Sequence, residues 1–243
     1  MSFRSFDGRW VEALLAHPEG ADASACIIFQ GGYGGAKEGA TAVWGLMAAE
    51  RAATFSIDSR LTGPRIARDP RRLYEALRRA VIDLRRALDY LEHRPECDPA
   101  RLAYVGASMG GFAGSMLAAV DRRVAAAALI VTGGDWRLVL EGTDQLLPGI
   151  ERRPEPFLRA LRLLGALDPA RWVGHISPRP VLMINGESDQ IVVPAAARAL
   201  WQAAREPKRI VTYGGGHAQF LGPRHRDDAR LLADWVREHV VER

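Results

Sequence analysis

Residues 106–111, Gly-Ala-Ser-Met-Gly-Gly, constrain the fold of this chain more than any other segment. The run at 101–105 before them predicts a strand, and the helix formers after them predict a helix. A serine on a tight strand-to-helix turn needs small neighbours, because the backbone there is strained and crowded. Gly106 and Gly110 provide that room, so the pattern predicts that the Ser108 hydroxyl projects above the edge of a sheet. An ordinary glycine-rich β-to-α turn is the alternative interpretation.

Predicted strands and helices alternate along the chain. The strand patterns are short apolar or β-branched runs, at residues 9–16, 24–30, 53–58, 101–105, 124–132, 180–186 and 208–213. Helical patterns lie between most of them, at residues 40–51, 73–91, 109–119, 194–205 and 227–240. This alternation predicts an α/β fold in which a mostly parallel sheet carries helices on both faces. The length predicts a single domain, residues 1–243.

One segment without strand character, residues 135–172, interrupts the alternation. Its leucines and aromatic residues are spaced as in short amphipathic helices, and prolines separate them. A segment of roughly 40 residues is too short to be a domain of its own, so we predict a small helical cap. Three apolar side chains of this cap are candidates for a substrate pocket: Trp136, Leu140 and Leu146. For Trp136, packing in the core of the cap is the alternative interpretation.

Charge and hydropathy argue against two classes of partner. The net charge is +4, and the arginines are densest at 65–94, where acidic residues are interleaved with them. That mixture, without an aromatic stacking pattern, predicts a solvated helix face rather than a nucleic-acid surface. No apolar run reaches the roughly 18 residues of a membrane span, and residues 1–8 lack an apolar signal core. We therefore expect a cytoplasmic protein that binds neither nucleic acid nor membrane, with its oligomeric state left open.

The two cysteines indicate no covalent or metal site. Cys26 lies in an apolar run, where a free cysteine behaves as a small buried hydrophobe. Cys97 lies in a turn-like stretch between two prolines. Two such positions make neither a disulfide framework nor a zinc site, and we expect neither a metal nor a cofactor.

Three polar residues that follow predicted strands have the chemistry of an activated hydroxyl. Ser108 needs a base, and His217, after the strand at 208–213, can take its proton because imidazole titrates near neutrality. Asp189, after the strand at 180–186, can hold that imidazole in the correct tautomer. Ligands bind beyond the carboxyl ends of parallel strands, where these residues would meet. We predict that they form a catalytic triad.

Other polar residues near strand ends are weaker candidates for a catalytic role. Asp135 also follows a strand and is the second candidate for the acid. Glu187, on the same turn as Asp189, is expected to point away, and His225 is expected to be solvated.

The glycine-rich run at 31–35 follows a predicted strand and lets backbone approach a ligand closely. It is not a phosphate-binding loop, since no Gly-Lys-Ser/Thr follows it. A tetrahedral intermediate needs two backbone donors for its oxyanion. Met109 N–H, at the turn, is one, and Tyr33 N–H, or alternatively Gly32 N–H, is the other.

The whole chain resembles the α/β-hydrolase superfamily, and within it is similar to dienelactone-hydrolase-like and prolyl-oligopeptidase-like serine esterases. The matching motifs are Gly-Gly-Tyr-Gly-Gly-Ala-Lys at 31–37, the Ser108 turn at 106–111, the strand and turn at 180–189, and Gly-His at 216–217. Their chain order of Ser, Asp and His is that of the superfamily. The resemblance implies the α/β-hydrolase fold, in which the cap follows the sixth strand.

The chain departs from the pattern of these families at two places. Gln30-Gly31 or Gly31-Gly32 stands where the superfamily often has His-Gly, which leaves the choice of oxyanion donor open. Dienelactone hydrolases proper use cysteine at the nucleophile position, so Ser108 favours ester rather than enol-lactone substrates.

Together these observations favour a metal-independent serine carboxylesterase, which hydrolyses short- to medium-chain esters of small molecules through an acyl-enzyme. An acyl thioesterase or a peptidase or amidase with the same triad is the alternative. An acyl-CoA substrate would want a basic patch beside the cap, for which the candidates are Arg152, Arg153, Arg159 and Arg162. A non-catalytic receptor on the same scaffold is a third hypothesis, which the complete triad disfavours.

Overall fold

The computed structural model describes residues 1–19, 23–217, 219 and 226–242. Its strands are β1 (Ser2–Arg4), β2 (Trp10–Ala16), β3 (Ser24–Gln30), β4 (Ala53–Ile57), β5 (Cys97–Ala107), β6 (Val124–Ile130), β7 (Val181–Gly186) and β8 (Lys208–Tyr213). Its α-helices are α1 (Thr41–Ala49), α2 (Pro70–Leu91), α3 (Met109–Val120), α4 (Trp136–Gly142), α5 (Pro154–Leu164), α6 (Pro169–Trp172), α7 (Pro194–Ala203) and α8 (Arg226–Val236). A π-helical turn, Arg237–Val241, continues α8.

The eight strands form one sheet in the order β1-β2-β4-β3-β5-β6-β7-β8. Strands β3 to β8 run parallel to their neighbours, and β2 is antiparallel to β4. The predicted mostly parallel sheet is therefore confirmed. Strand β1 was not predicted, because three residues are too few to show an alternating pattern. It pairs with β2 in antiparallel register, with Phe3 opposite Val11.

The central strands separate two hydrophobic cores. Every residue of β3 is buried, as expected of a parallel strand covered on both faces. Alternate side chains of β3 enter opposite cores: Ile28 packs with residues of α2 and α3, and Ile27 packs with residues of α1 and α8. The leucine stripe of α2 is buried in the first core, as its spacing predicts. The sheet edge that carries the carboxyl ends of the strands is thus held rigidly from both faces.

The segment after β6 is helical, as predicted. It contains α4, α5 and α6, with 3₁₀ turns between and after them, and no strand occurs from residue 135 to residue 175. Within the described ranges, no helix is both long enough and apolar enough to cross a membrane.

The expectation that the cysteines are unpaired is wrong, because Cys26 and Cys97 form a disulfide. Their Cα atoms are 5.5 Å apart, where β3 and β5 lie side by side. Both side chains are buried. The two positions are 71 residues apart in sequence, and only the strand order brings them together.

We expect the double substitution Cys26→Ala with Cys97→Ala to lower the free energy of unfolding by about 2–4 kcal/mol, since the link restricts the unfolded chain. Chemical denaturation of the oxidised wild type, the reduced wild type and the double variant measures this. Reductant should shift the wild-type midpoint toward that of the double variant and leave the double variant unchanged. A wild-type midpoint that ignores reductant would contradict the assignment of the bond.

Candidate active site

Ser108 lies on a strained turn between β5 and α3. Its φ and ψ are 54° and −122°, outside both helical and extended conformations. Its N–H donates to Ile130 O at 2.8 Å, and its own carbonyl accepts from Phe112 N at 3.1 Å. Such strain persists only where the surroundings over-determine it, and here β6 and the first turn of α3 do so.

The glycines beside Ser108 are required by close backbone packing. A Cβ on Gly110 would overlap the carbonyls of Gln30 and Gly31, and a Cβ on Gly106 would lie 2.6 Å from the ring of Tyr104. The Tyr104 hydroxyl donates to Gly110 O at 2.7 Å. Burial raises the pKa of Tyr104 well above its ordinary value, which keeps the phenol protonated as that donor. The sequence pattern is therefore explained by contacts.

The structure brings Ser108, His217 and Asp189 together from three different strand ends. His217 Nε2 lies 2.8 Å from Ser108 Oγ, and His217 Nδ1 lies 2.7 Å from Asp189 Oδ2. Asp189 is 3% exposed, and its other oxygen accepts the N–H groups of Ile191 and Val192 at 2.8 and 2.9 Å. These two bonds fix the carboxylate plane, so that one oxygen is directed at the imidazole. The arrangement can activate a hydroxyl as a nucleophile.

The other polar candidates from the sequence were Asp135, Glu187 and His225. Asp135 caps α4, where its side chain accepts the N–H of Arg137 at 2.9 Å. Glu187 is exposed, and His225 lies outside the described residues. Asp135, the second candidate for the acid, is thus the N-cap residue of α4.

The glycine-rich loop after β3 lies against Ser108. A Cβ on Gly32 would be 3.1 Å from Ser108 Cβ. Gly35 N donates to Gly32 O at 2.9 Å, so residues 32–35 form a turn, and Gly34 at its third position has a φ of 75°. That angle is typical of a type II turn and favours glycine. The loop is anchored on the far side, where Gly34 N donates to Leu61 O and the Tyr33 hydroxyl donates to Gly63 O.

This geometry bears on the two predicted oxyanion donors. Within this loop, the N–H of Gly35 donates to Gly32 O and that of Gly34 donates to Leu61 O. Among the described residues, no backbone carbonyl accepts the N–H of Tyr33. Met109 is the first residue of α3, where an N–H has no partner within the helix. Both residues border the cavity above Ser108. Their role as donors stays a prediction, with Gly32 as the alternative.

A cavity of about 340 Å³ opens beside Ser108 and His217. Its wall is mostly apolar, and its apolar side chains include Phe112, Val131, Val139, Leu146, Ile191 and Val192.

Of the three predicted pocket residues, Leu146 lines this cavity and the other two do not. Trp136 is 2% exposed and packs on Phe112 with ring centroids 5.1 Å apart, and Leu140 is 1% exposed. These two side chains bind the cap to the body of the protein. For Trp136 this agrees with the alternative interpretation as core of the cap; the sequence does not show which face of a short helix is turned toward the site.

Comparison with known proteins identifies the family. The family model of the prolyl oligopeptidases matches residues 75–242. The chain belongs to the prolyl oligopeptidase family. The predicted membership of the α/β-hydrolase superfamily is thereby confirmed.

The individual relatives differ in how much of their length is matched. The chain is 31% identical to YfhR of Salmonella typhi over 146 residues, which are 59% of this chain and 49% of that protein. It is 34% identical to Rv2307c of Mycobacterium tuberculosis over 165 residues, 66% of this chain and 52% of that protein. The chain thus spans about half the length of these curated relatives. Acetyl xylan esterase 1 from Thermoanaerobacterium sp. shares the fold, with a TM-score of 0.80, 21% identity, and coverage of 98% of this chain and 81% of that one.

Proposed function

We propose that this protein is a serine carboxylesterase that hydrolyses short- to medium-chain esters through an acyl-enzyme. The observation that carries the proposal is the hydrogen-bonded row of Ser108, His217 and Asp189, at 2.8 and 2.7 Å, beside an apolar cavity. An apolar cavity can bind an alkyl chain, and three side chains hydrogen-bonded in this order can perform acyl transfer.

In the first half of the reaction, Ser108 Oγ attacks the ester carbonyl carbon while His217 Nε2 takes the hydroxyl proton. Asp189 stabilises the imidazolium that forms. The negative charge on the carbonyl oxygen is met by the N–H groups of Met109 and Tyr33. The bond to the alcohol oxygen then breaks, and His217 returns its proton to that oxygen.

In the second half, water takes the place of the alcohol. His217 removes a proton from the water, whose oxygen attacks the acyl carbon. The bond to Ser108 Oγ breaks, the serine regains its proton from His217, and the carboxylic acid leaves. Each step uses the same base and the same donors, so no metal or cofactor is needed in this scheme.

An acyl thioesterase is the second candidate, and two of the four arginines predicted for it form ion pairs. Arg152 pairs with Glu151 and Arg159 pairs with Glu155, each at 3.0 Å. Both pairs lie on the surface, so they reduce the net positive charge that this patch offers to the phosphates of an acyl-CoA. We therefore favour oxygen esters over thioesters, and amides remain a further alternative with the same triad.

The disulfide between Cys26 and Cys97 speaks against the predicted cytoplasmic location and favours an oxidising compartment, since cytosolic thiols are usually kept reduced. Cell fractionation can test which of the two holds.

Rates on matched substrates test the proposed function. We expect kcat/KM for p-nitrophenyl butyrate to be at least tenfold higher than for the thioester butyryl-CoA or the amide butyryl p-nitroanilide. A fluorophosphonate probe should label Ser108, as peptide mass spectrometry can show. A faster thioester rate would select the thioesterase, and labelling without turnover of any substrate would contradict the proposal.

A further inference from the structure

Val131, which follows β6, has a backbone conformation that valine rarely adopts. Its φ is 44°, in the left-handed region. A β-branched side chain is a genuine outlier there, because its methyl groups crowd the backbone, whereas glycine enters that region freely. A valine at this position therefore costs stability that a glycine would not.

Hydrogen bonds on both sides hold the backbone in this conformation. Before it, Ile130 O accepts the N–H of Ser108 at 2.8 Å. At the residue itself, the N–H donates to Ile184 O at 2.7 Å. After it, Thr132 O accepts the side-chain amide of Asn185 at 3.0 Å. The turn that carries Val131 is thus tied to the nucleophile turn and to β7, which leaves its side chain little freedom to move away.

The strained side chain lies in the wall of the cavity beside Ser108. It is 4% exposed, and Phe112, Val139 and Val192 are equally buried parts of the same wall. Two other residues of the wall, Tyr33 and Gln145, are exposed. The wall thus has a buried apolar part, which we take as the closed end of the cavity, and an exposed part, which we take as the open end.

The acyl group and the alcohol group of an ester must occupy different parts of such a cavity. The alcohol must leave and water must arrive while the acyl group stays bonded to Ser108, so the alcohol faces the open end. The acyl chain then occupies the closed end, against Val131.

We propose that Val131 is a specificity-determining residue, whose fixed side chain limits the length of the acyl chain. The proposal rests on the esterase activity proposed above and defines its substrate class. It also gives the valine a role at a position whose backbone glycine would fit better: the methyl groups close the acyl end of the cavity, and the surrounding bonds hold them there.

The test compares Val131→Gly, Val131→Ala and Val131→Ile on p-nitrophenyl acetate, butyrate, hexanoate and octanoate. In the glycine and alanine variants, the ratio of kcat/KM for octanoate to that for acetate should rise about tenfold or more, as a methylene-sized change in a pocket allows. The isoleucine variant keeps a β-branched side chain but adds a methylene, so its ratio of butyrate to acetate should fall.

Thermal melting gives an independent readout of the strain. Val131→Gly should melt about 2–4 °C above Val131→Ala, the reverse of their usual order, because only glycine relieves the backbone. Val124→Ala is the matched control, since Val124 is fully buried at the opposite end of the same strand. It should lower the melting temperature and leave the acyl-chain ratios unchanged.

The outcomes separate this inference from the function on which it rests. Unchanged acyl-chain ratios in all three variants, with acetate still hydrolysed, would overturn the role of Val131 and leave the esterase intact. A change that follows the length of the alcohol at constant acyl group would overturn it as well. If the wild type hydrolyses no ester in the series, the proposed function fails, and the inference fails with it.

Discussion

Replacement of Ser108 by alanine is expected to lower kcat on p-nitrophenyl butyrate by about 10⁴- to 10⁶-fold, with little change in melting temperature. The loss is large because the acyl-enzyme cannot form without Ser108 Oγ, the hydroxyl oxygen that lies 2.8 Å from His217 Nε2. The fold should persist, because alanine has the same Cβ in the same turn, whose bonds to Ile130 and Phe112 use only backbone atoms. Residual turnover above water would come from binding and the oxyanion donors.

The control for this prediction is Ser115→Ala. Ser115 is a buried serine within α3, whose hydroxyl donates to Gly111 O at 2.9 Å, and it is not among the residues that line the cavity. We expect its loss to cost about 1 kcal/mol of stability and to change kcat less than threefold. Esterase rates and melting curves on both variants separate the two roles. Full activity in Ser108→Ala would show that the nucleophile has been placed wrongly.

The second large effect is expected for Asp189→Asn, which should lower kcat by about 10³- to 10⁴-fold. An amide at this position can still accept the N–H groups of Ile191 and Val192 through its oxygen. Its nitrogen then faces His217 Nδ1, which was 2.7 Å from a carboxylate oxygen. An N–H donor there places the imidazole proton on Nε2, the wrong tautomer for a base that must accept from Ser108. The geometry is kept and the chemistry is lost.

Asp135→Asn is the matched control, because Asp135 is a carboxylate that also follows a strand of this sheet and was the second candidate for the acid. Its side chain caps α4 through the N–H of Arg137, which an amide oxygen can also accept. We expect activity within threefold of the wild type. The pair of variants is measured on the same ester across pH 5 to 9, and comparable losses in both would argue that the acid of the triad has been misassigned.

The sequence predicted the parts of this site that depend on local pattern. The glycines at 106 and 110 reflect backbone contacts within one turn and with the adjacent strand, so their spacing around Ser108 is readable from the chain. Asp189 and His217 each follow a buried strand, and parallel strands end at one edge of the sheet. Their meeting at one edge was therefore predictable from chain order, and the structure places them within hydrogen-bonding distance.

Other features were missed because they depend on contacts between distant segments. The disulfide needs β3 beside β5, and no local pattern at Cys26 or Cys97 reports that neighbour. The side chains of Trp136 and Leu140 are apolar enough for a pocket, but packing turned them into the core. Val131 reads as one more residue of an apolar strand, and its positive φ is visible only in the folded chain.

The amino-acid order alone determined that this chain builds a parallel sheet with helices on both faces, and which side chains could perform acyl transfer. Those properties follow from periodicity and from the steric demands of a single turn, which act over a few residues. The tertiary structure decided the shape of the cavity, the side of it that is closed, and the covalent link between two strands. These depend on which surfaces meet when segments separated by tens of residues pack together, and packing energies of that kind leave little trace in any one segment.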